Sequence, residues 1–269
     1  MDLSLANEPL FSEAALAEHT YAIQTMGYSI VENYLNPAFC TALKDKLISA
    51  LNNYSHKNTA QAVYDQHHIH DLLAQDILFA KLLEDPRLQQ LLSPFLNPYW
   101  ILYAFTSSSI PPQGKNYGNR IHIDCPRFAR EYIFNMGVIW ALDDFTSMNG
   151  GTQVLPASQH YPVPPTEKYF EKNCAQITCR QGALIIFNAR VFHRSGENKT
   201  QDWRHSLTMN ACHPYMKQRM DWVRLIPASI SDFLNQQARR IIGYDTRLPA
   251  SLEEFFVPEE QRLYKVKQE

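Results

Sequence analysis

The chain has 269 residues, of which 45% are hydrophobic, so it is long enough to bury a sizeable core. Its 25 lysines and arginines nearly balance 27 acidic residues, which gives a formal net charge of -2. This balance excludes a strongly basic surface of the kind that binds nucleic acid, and the chain has no polybasic run for a membrane surface.

The cysteines and the N-terminal segment indicate a cytoplasmic protein. Five scattered cysteines, an odd number, are typical of reduced thiols rather than of a disulfide framework. Residues 1–18 carry acidic side chains and lack a positively charged start and an unbroken apolar run, so we expect no signal peptide. We also expect no transmembrane span, because no apolar stretch is long enough.

The N-terminal third is predicted to be mainly helical. Ser12 is the predicted N-cap of a first helix that Gly27 ends, and Asn36-Pro37 opens a second helix. A third helical region is expected to break near Asp85-Pro86, because the residue before a proline disfavours helix. The predicted helices span residues 12–26, 37–51 and 73–94, with a short strand at 28–32.

From residue 99 the pattern becomes β-rich. Short apolar or alternating runs are separated by glycines, prolines and asparagines, which is typical of an all-β barrel or sandwich. Residues 107–120 are predicted to form a loop, and a last helix is predicted at about 231–242. The predicted strands span residues 100–106, 121–124, 132–142, 152–155, 176–179, 183–188 and 205–213.

These patterns predict one domain of α+β content that spans residues 1–269. Its parts are a helical N-terminal support at about 1–95, a β-rich core at about 96–215 and a C-terminal helical extension. No internal repeat or interdomain linker interrupts this order.

A candidate metal site begins at His122-Ile123-Asp124. Alternate side chains of a strand point to the same face, so His122 and Asp124 could bind one ion. A pair with this spacing is a weak signal alone, but His193 from a later strand would complete a 2-His-1-carboxylate set. That set leaves coordination positions open, as in non-heme Fe(II) oxygenases.

Arg204 is a candidate for binding a carboxylate in the same cavity. A turn at 196–202 would fold the next strand back beside the one that carries His193. An arginine can hold a carboxylate with two parallel charge-assisted hydrogen bonds, as a diacid cosubstrate such as 2-oxoglutarate requires. The alternative is a salt bridge at the end of the barrel, to Asp202 or Glu197.

Three motifs, in this order along the chain, resemble the phytanoyl-CoA dioxygenase family of Fe(II)/2-oxoglutarate oxygenases. They are His122-x-Asp124, the stretch NGGTQVLPASQH at 149–160, and His193-x-Ser195-Gly196 followed by Arg204. The resemblance covers roughly residues 20–215, and the stretch at 149–160 is its most specific piece. Two small departures, at Ala157 and Gln159, fall in a turn.

The resemblance implies a mainly β fold with flanking helices, a double-stranded β-helix or jelly roll of the cupin-like kind. It implies Fe(II), 2-oxoglutarate and O2 as cofactor and cosubstrates, with His122, Asp124 and His193 as the metal ligands. The residues assigned to the cosubstrate pocket are Arg204, which would bind the distal carboxylate, and Ser195, Trp140, Asn135 and Asn119. Core packing is an equally good interpretation of Trp140, which lies in an apolar run.

Substrate contacts are predicted at His68, His70 and Tyr117. The two histidines belong to the polar run at 65–71, which could also be a second metal site or a plain loop. The loop at 107–120 could close over the cavity and bring Tyr117 to the substrate, or could simply connect two strands.

The predicted function is that of a non-heme Fe(II)/2-oxoglutarate-dependent dioxygenase. It would hydroxylate an unactivated C–H bond of a small, partly apolar metabolite in a biosynthetic pathway, with succinate and CO2 as coproducts. Three alternatives stay open: an acyl-CoA substrate or a desaturation or rearrangement, a cupin-type metalloenzyme without 2-oxoglutarate, and a non-catalytic metal-binding or sensing protein. Several aromatic residues suggest an apolar pocket wall, namely Tyr99, Trp100, Tyr103, Phe105, Tyr132 and Phe134.

Overall fold

The computed structural model describes residues 10–54 and 67–262. The helices are α1 (Glu13–Met26), α2 (Pro37–Asn53), α3 (Ile77–Lys81), α4 (Pro86–Leu96), α5 (Glu167–Asn173), α6 (Trp222–Leu225), α7 (Ala228–Ser231), α8 (Gln236–Ile242) and α9 (Leu252–Phe255). The strands are β1 (Tyr28–Val31), β2 (Ile101–Ile110), β3 (Asn135–Ala141), β4 (Thr152–Val154), β5 (Ala175–Gln176), β6 (Leu184–Asn188), β7 (His193–Ser195) and β8 (Arg204–Cys212). Short 3₁₀ turns lie at Leu72–Ala74, Leu82–Glu84, Tyr117–Asn119, Ser158–His160 and Glu259–Gln261.

The first two helices begin where their caps predict. The Ser12 side chain accepts a hydrogen bond from the Ala15 N–H, and Gly27 ends α1 in the left-handed conformation, with φ of 89°. The Asn36 side chain caps α2 by accepting from the Ala38 N–H at 2.8 Å. Local hydrogen bonding of these caps therefore sets the helix starts.

The strands form two antiparallel sheets. The larger sheet has the order β1-β6-β3-β8-β2, and the smaller sheet has the order β5-β4-β7. A buried apolar cluster joins Ile139 of β3 and Ile185 of β6 with Val154 of β4, so the two sheets pack face to face. This is the double-stranded β-helix arrangement that the family resemblance implies.

The larger sheet buries both of its faces. Met136, Val138 and Trp140 of β3 pack in a large cluster with the helices, while Ile139 and Ala141 face the smaller sheet. Side chains of a strand alternate between faces, so β3 reads as a continuous apolar run rather than as an alternating one.

The strand β2 is longer than predicted. Ser107 to Ile110, which the sequence assigned to a loop, pair with Leu207 to Arg204 of β8 in an antiparallel ladder. The run of three serines hid this extension, because its partner lies far along the chain. Residues 121–124 differ in the other direction: only His122 makes a bridge, to His193, and no regular strand forms there.

The C-terminal helix predicted at about 231–242 begins later, because residues 232–235 are not helical and α8 covers only Gln236–Ile242. Asn235 caps α8 by accepting a hydrogen bond from the Ala238 N–H at 2.8 Å, which starts a new helix after α7. The break predicted at Asp85-Pro86 is present, since Asp85 caps α4. Among the described residues, no helix is both long and apolar enough to cross a membrane.

Candidate active site

The three predicted metal ligands come together. The potential ligand atoms of His122, Asp124 and His193 lie within 4.8 Å of one another, and the described residues contain no other such group. Asp124 Oδ1 lies 3.6 Å from His122 Nε2 and 3.7 Å from His193 Nε2. One ion could therefore touch all three side chains.

Backbone pairing places the two histidines side by side. His122 N–H donates to the His193 carbonyl at 3.0 Å, and His193 N–H donates to the His122 carbonyl at 2.9 Å. The two ring centroids are 4.3 Å apart. Asp124 N–H donates to the carbonyl of Ala189 at 2.9 Å, which holds the loop that carries the first two ligands against the end of β6. The β-bridge between His122 and His193 therefore positions the ligands that we expected a strand at 121–124 to carry.

The hydrogen bonds of the imidazoles define which nitrogen faces the centre. His122 Nδ1 lies 2.8 Å from the carbonyl of Arg120, and His193 Nδ1 lies 2.9 Å from the carbonyl of Val191. A carbonyl oxygen only accepts, so each Nδ1 carries the proton and each Nε2 offers its lone pair. Both rings are thus oriented as metal ligands usually are.

Burial keeps His122 in the form that binds metal. Burial, together with the neighbouring His193, lowers the pKa of His122 to about 4. The imidazole is then neutral at neutral pH, as metal binding requires. Two imidazoles and one carboxylate fit Fe(II) with coordination positions left open.

Asn210 is a site residue that the sequence interpretation missed. Its Nδ2 donates to Asp124 Oδ2 at 3.0 Å, which leaves Oδ1 turned toward the histidines. Asn210 lies on β8 in the same alternate series as Arg204, and both line the cavity next to the triad. That shared strand face was the available signal.

The triad opens into a cavity of about 540 Å³, and Arg204 is buried in its wall. Arg204 is 2% exposed, and burial lowers its pKa to about 10, so it remains a cation at neutral pH. It donates to Ser206 Oγ at 2.7 Å and to the Gly150 carbonyl at 3.1 Å, and its guanidinium carbon lies 4.6 Å from the centre of the Phe145 ring.

Arg204 keeps a donor available. Its Nε is buried without a hydrogen-bond partner among the described residues, and no described carboxylate pairs with the guanidinium. The alternative salt bridge to Asp202 or Glu197 is not observed among the described ion pairs, and Glu197 pairs with Lys115 at 3.7 Å. A buried cation with an unused donor fits a carboxylate supplied by a ligand.

Ser195 and Asn119 have different positions. Ser195 lines the cavity, and its Oγ donates to Asn116 Oδ1 at 2.8 Å. Asn119 faces a neighbouring surface cleft and donates to the Ser195 carbonyl at 2.8 Å, so it supports Ser195 from behind rather than facing the cavity.

Trp140 and Asn135 do not line the cavity, and this corrects both predictions. Trp140 is fully buried on the helix side of β3, with its ring 5.7 Å from that of Phe105. Strand alternation instead turns Ile139 to the cavity. Asn135 is buried at the start of β3 and is not among the lining residues.

The three predicted substrate residues do line the cavity. The rings of His68 and His70 are 6.4 Å apart and nearly parallel, and Tyr117 lies on the facing loop. A second metal site at these histidines is not observed among the described residues, and positions 65 and 66 of that run lie outside them. The polar-loop and substrate-contact interpretations of the run therefore remain.

Phe187 forms a wall of the cavity that the sequence did not suggest. Its ring packs edge-on against His193, with centroids 5.0 Å apart. The ring crosses β3 at Gly137, where an added Cβ would lie 2.1 Å from the ring. A glycine at this position is what lets the aromatic ring lie across the strand beside the metal ligand.

A 2-His-1-carboxylate set inside a double-stranded β-helix defines the class of non-heme iron oxygenases. The chain belongs to the phytanoyl-CoA dioxygenase (PhyH) family, whose model matches residues 23–206. The predicted class, a dioxygenase of this family, is therefore confirmed.

Two relatives illustrate the range of sequence similarity. "Uncharacterized protein Rv1501" of Mycobacterium tuberculosis is 27% identical over 255 residues, which cover 91% of this chain and 92% of that protein. Dioxygenase ALT11 of Alternaria alternata is 24% identical over 166 residues, which cover 58% of this chain and 52% of that protein.

Solved structures share the fold at low sequence identity. EctD from S. alaskensis, solved with 2-oxoglutarate and 5-hydroxyectoine, has a TM-score of 0.63 and 18% identity, and the match covers 78% of each chain. The non-heme alpha-ketoglutarate-dependent epimerase SnoN from nogalamycin biosynthesis has a TM-score of 0.60 and 17% identity, covering 75% of this chain and 84% of SnoN. At these identities the likeness establishes the fold.

Proposed function

We propose that the protein is an Fe(II)/2-oxoglutarate-dependent oxygenase that hydroxylates a C–H bond of a small metabolite. The observation that carries this proposal is that one cavity holds both the His122, Asp124 and His193 triad and the buried cation Arg204. When bound there, Fe(II) and 2-oxoglutarate would supply the oxidising power, with O2 consumed and succinate and CO2 released.

The protein's own residues would hold and orient these groups. The triad would hold the metal and leave coordination positions open for 2-oxoglutarate and O2. Arg204 would bind the distal carboxylate through its unpartnered Nε. The Ser195 hydroxyl would add a hydrogen bond by turning its proton from Asn116 Oδ1 to the carboxylate. A cupin-type enzyme without 2-oxoglutarate has no need of a buried, unpaired cation at that position.

The cavity lining changes the expectation for the substrate. None of the aromatic residues expected to form an apolar wall lines the cavity, and Trp100 and Phe105 pack in the core on the helix side. Hydroxyls and charges form much of the remaining wall, and apolar contact comes from Ala104, Ile123, Ile139, Phe187 and Met209. We therefore propose a small metabolite with a short apolar part and several polar groups, contacted by His68, His70 and Tyr117.

Two further parts of the proposal concern cellular context. A biosynthetic role on a small metabolite is favoured over a role on acyl-CoA by the balanced charge of the chain, since the phosphates of CoA would require a basic surface patch. A cytoplasmic location is supported by the cysteines, all five of which are free thiols.

The test is succinate formation that depends on substrate, 2-oxoglutarate and O2. Purified protein reconstituted anaerobically with Fe(II) is mixed with a panel of small polar metabolites, and succinate and the hydroxylated product are measured together. We expect the two to form in equal amounts with the wild-type protein. His193→Ala, which removes a metal ligand, should bind no iron and form neither. Product formation without succinate would contradict the proposal.

A further inference from the structure

The cavity carries two cations that the proposed reaction does not use. Besides Arg204, its lining includes Arg120 and Arg219, whereas Asp124 is the one acidic residue among its described lining. Asp124 is already committed, since it faces the two histidines and accepts a hydrogen bond from Asn210. The described lining of the cavity therefore carries more positive than negative charge.

The positive charge of Arg120 and Arg219 matters because the other charges of the loaded site would cancel. A metal dication, the Asp124 carboxylate, dianionic 2-oxoglutarate and Arg204 together carry no net charge. Arg120 and Arg219 remain, and neither pairs with a carboxylate among the described residues. Both side chains are exposed, so water screens their charge in part. A cavity mouth that carries two such cations still favours an anionic ligand, because it attracts the anion and offers guanidinium N–H groups to bind it.

A β-bulge places Arg219 at the cavity. In the pairing of β2 with β8, Leu102 pairs with Ala211 and Ala104 with Asn210, so Tyr103 is the extra residue. The carbonyl of Tyr103 accepts a hydrogen bond from the backbone N–H of Arg219, at an N···O distance of 3.0 Å. A β-bulge changes the direction of the residues around it. Here its carbonyl holds the segment after β8 against β2.

Arg219 and Arg204 lie toward opposite ends of the cavity. Arg204 is the first residue of β8. The backbone of Arg219 is hydrogen-bonded to Tyr103, and the next residue, Ala104, pairs with Asn210 near the other end of β8. Arg204 and Asn210 are six residues apart on one strand, which corresponds to about 20 Å along the backbone. One ligand carboxylate at Arg204 therefore leaves Arg219 open to a different molecule.

Arg120 is held on the loop side of the same cavity. Its guanidinium carbon lies 3.9 Å from the centre of the Tyr117 ring, and it also donates to the Tyr117 hydroxyl. Stacking fixes the plane of the guanidinium and leaves other N–H groups to bind a ligand.

Hydroxyl groups line the strands between the two ends. Thr106 and Thr208 are hydrogen-bonded across β2 and β8 at 2.8 Å, and Ser206 Oγ donates to the Ser108 carbonyl at 3.0 Å. All four residues line the cavity. Such a wall suits a ligand with its own hydroxyl or amide groups better than a hydrocarbon chain.

We propose that the substrate is a small polar metabolite with a carboxylate that Arg219 binds, assisted by Arg120. This inference rests on the proposed oxygenase function and specifies its substrate class. A carboxylate matches the planar guanidinium with two parallel hydrogen bonds, and binding it at one end would direct the remainder of the molecule toward the metal. Arg219 is thus assigned a role in substrate specificity.

The test is calorimetric binding to full-length protein loaded anaerobically with Fe(II) and 2-oxoglutarate. The probes are the common L-amino acids, their N-acetyl derivatives and short 2-hydroxy acids, each compared with its own primary amide. We expect at least one acid to bind roughly tenfold to a hundredfold more tightly than its amide. Arg219→Gln should remove this preference, and Arg219→Lys should retain part of it.

Arg224→Gln is the matched control, because Arg224 is exposed on α6 and lies outside the cavity lining. This variant should keep the full preference for the acid. A panel in which no acid binds more tightly than its amide overturns the proposal, as does a preference that survives Arg219→Gln. Affinity for 2-oxoglutarate, measured separately on the same wild-type protein, tests the proposed function and not this inference.

Discussion

At the scale of single residues, the orientation of one metal ligand depends on a side chain outside the ligand set. Asn210 Nδ2 donates to Asp124 Oδ2 at 3.0 Å, while Asp124 Oδ1 faces His122 and His193. Without this hydrogen bond the carboxylate could rotate away from the histidines. Partners of this kind support metal ligands in many sites.

We therefore expect Asn210→Ala to weaken Fe(II) binding by roughly 10- to 100-fold while the protein stays folded. Anaerobic titration with Fe(II), followed by Tyr or Trp fluorescence, measures the dissociation constant. Thr106→Ala is the control, because Thr106 lines the same cavity but does not contact a ligand. Equal affinity of Asn210→Ala and Thr106→Ala would show that Asp124 needs no such support.

The sequence was informative for residues whose role depends on spacing. His122, Asp124, His193 and Arg204 were identified because their order and spacing follow a family pattern, and the structure brings them into one cavity. Asn210 had no such motif. Its role depends on which face of β8 turns inward and on the loop that carries Asp124, and both are tertiary features.

Trp140 is a residue that the sequence placed at the cavity and that the structure places in the core. It lies in a strand buried on both faces, where an apolar run does not reveal which side chains point to the cavity. The phase of β3 turns Ile139 inward and Trp140 toward the helices. Only the packing of the sheet decides this phase.

At the scale of elements, the packing of β3 against β6 shapes the cavity wall. Gly137 is paired with Phe187, and the Phe187 ring lies across the glycine and against His193. An added Cβ would lie 2.1 Å from the ring, closer than atoms can approach. The ring or the strand would have to move.

We expect Gly137→Ala to lower the free energy of unfolding by about 1–3 kcal/mol, the usual cost of overpacking. Urea unfolding followed by circular dichroism measures this change. In the double variant Gly137→Ala, Phe187→Leu, the smaller side chain should recover part of the loss. Additive effects of the two substitutions would contradict the contact between them.

Helices and strands were not equally predictable. The starts of α1 and α2 were predictable because Ser12 and Asn36 bond to backbone groups two or three residues away. The end of β2 was not, because Ser107 to Ile110 become a strand through pairing with distant residues of β8. Long-range pairing leaves no local pattern when the residues are small and polar.

At the scale of the whole molecule, His205 lies where helix and sheets meet. The backbone N–H of His205 donates to Asp143 Oδ2 at 2.8 Å, and Asp143 also pairs with Lys44 of α2. Its Nδ1 lies 2.8 Å from Ser109 Oγ on β2. Burial lowers the pKa of this histidine to about 4.

The lowered pKa makes stability depend on pH with a defined sign. An unfolded histidine titrates near 6.5, so between about pH 6.5 and 4 the unfolded chain binds a proton that folded His205 does not. Its contribution is therefore complete above about pH 6.5 and is lost as the pH falls toward 4. The loss is at most about 3 kcal/mol.

We predict that His205→Gln flattens this dependence. Urea unfolding of the metal-free protein at several pH values should show a smaller decrease between pH 6.5 and 4 for this variant than for wild type. His160→Gln, at an exposed histidine, is the control and should follow wild type. A slope for His205→Gln equal to that of wild type would contradict the assigned role of His205.

The central claim is that this cavity binds Fe(II) through the triad and 2-oxoglutarate through Arg204. The most direct measurement is an anaerobic ultraviolet–visible titration of the Fe(II)-loaded protein with 2-oxoglutarate. We predict a weak visible charge-transfer band that saturates with wild type and that needs roughly 30-fold or more 2-oxoglutarate in Arg204→Ala, which still binds iron. No band with iron bound, or the same titration curve for Arg204→Ala, would contradict the claim.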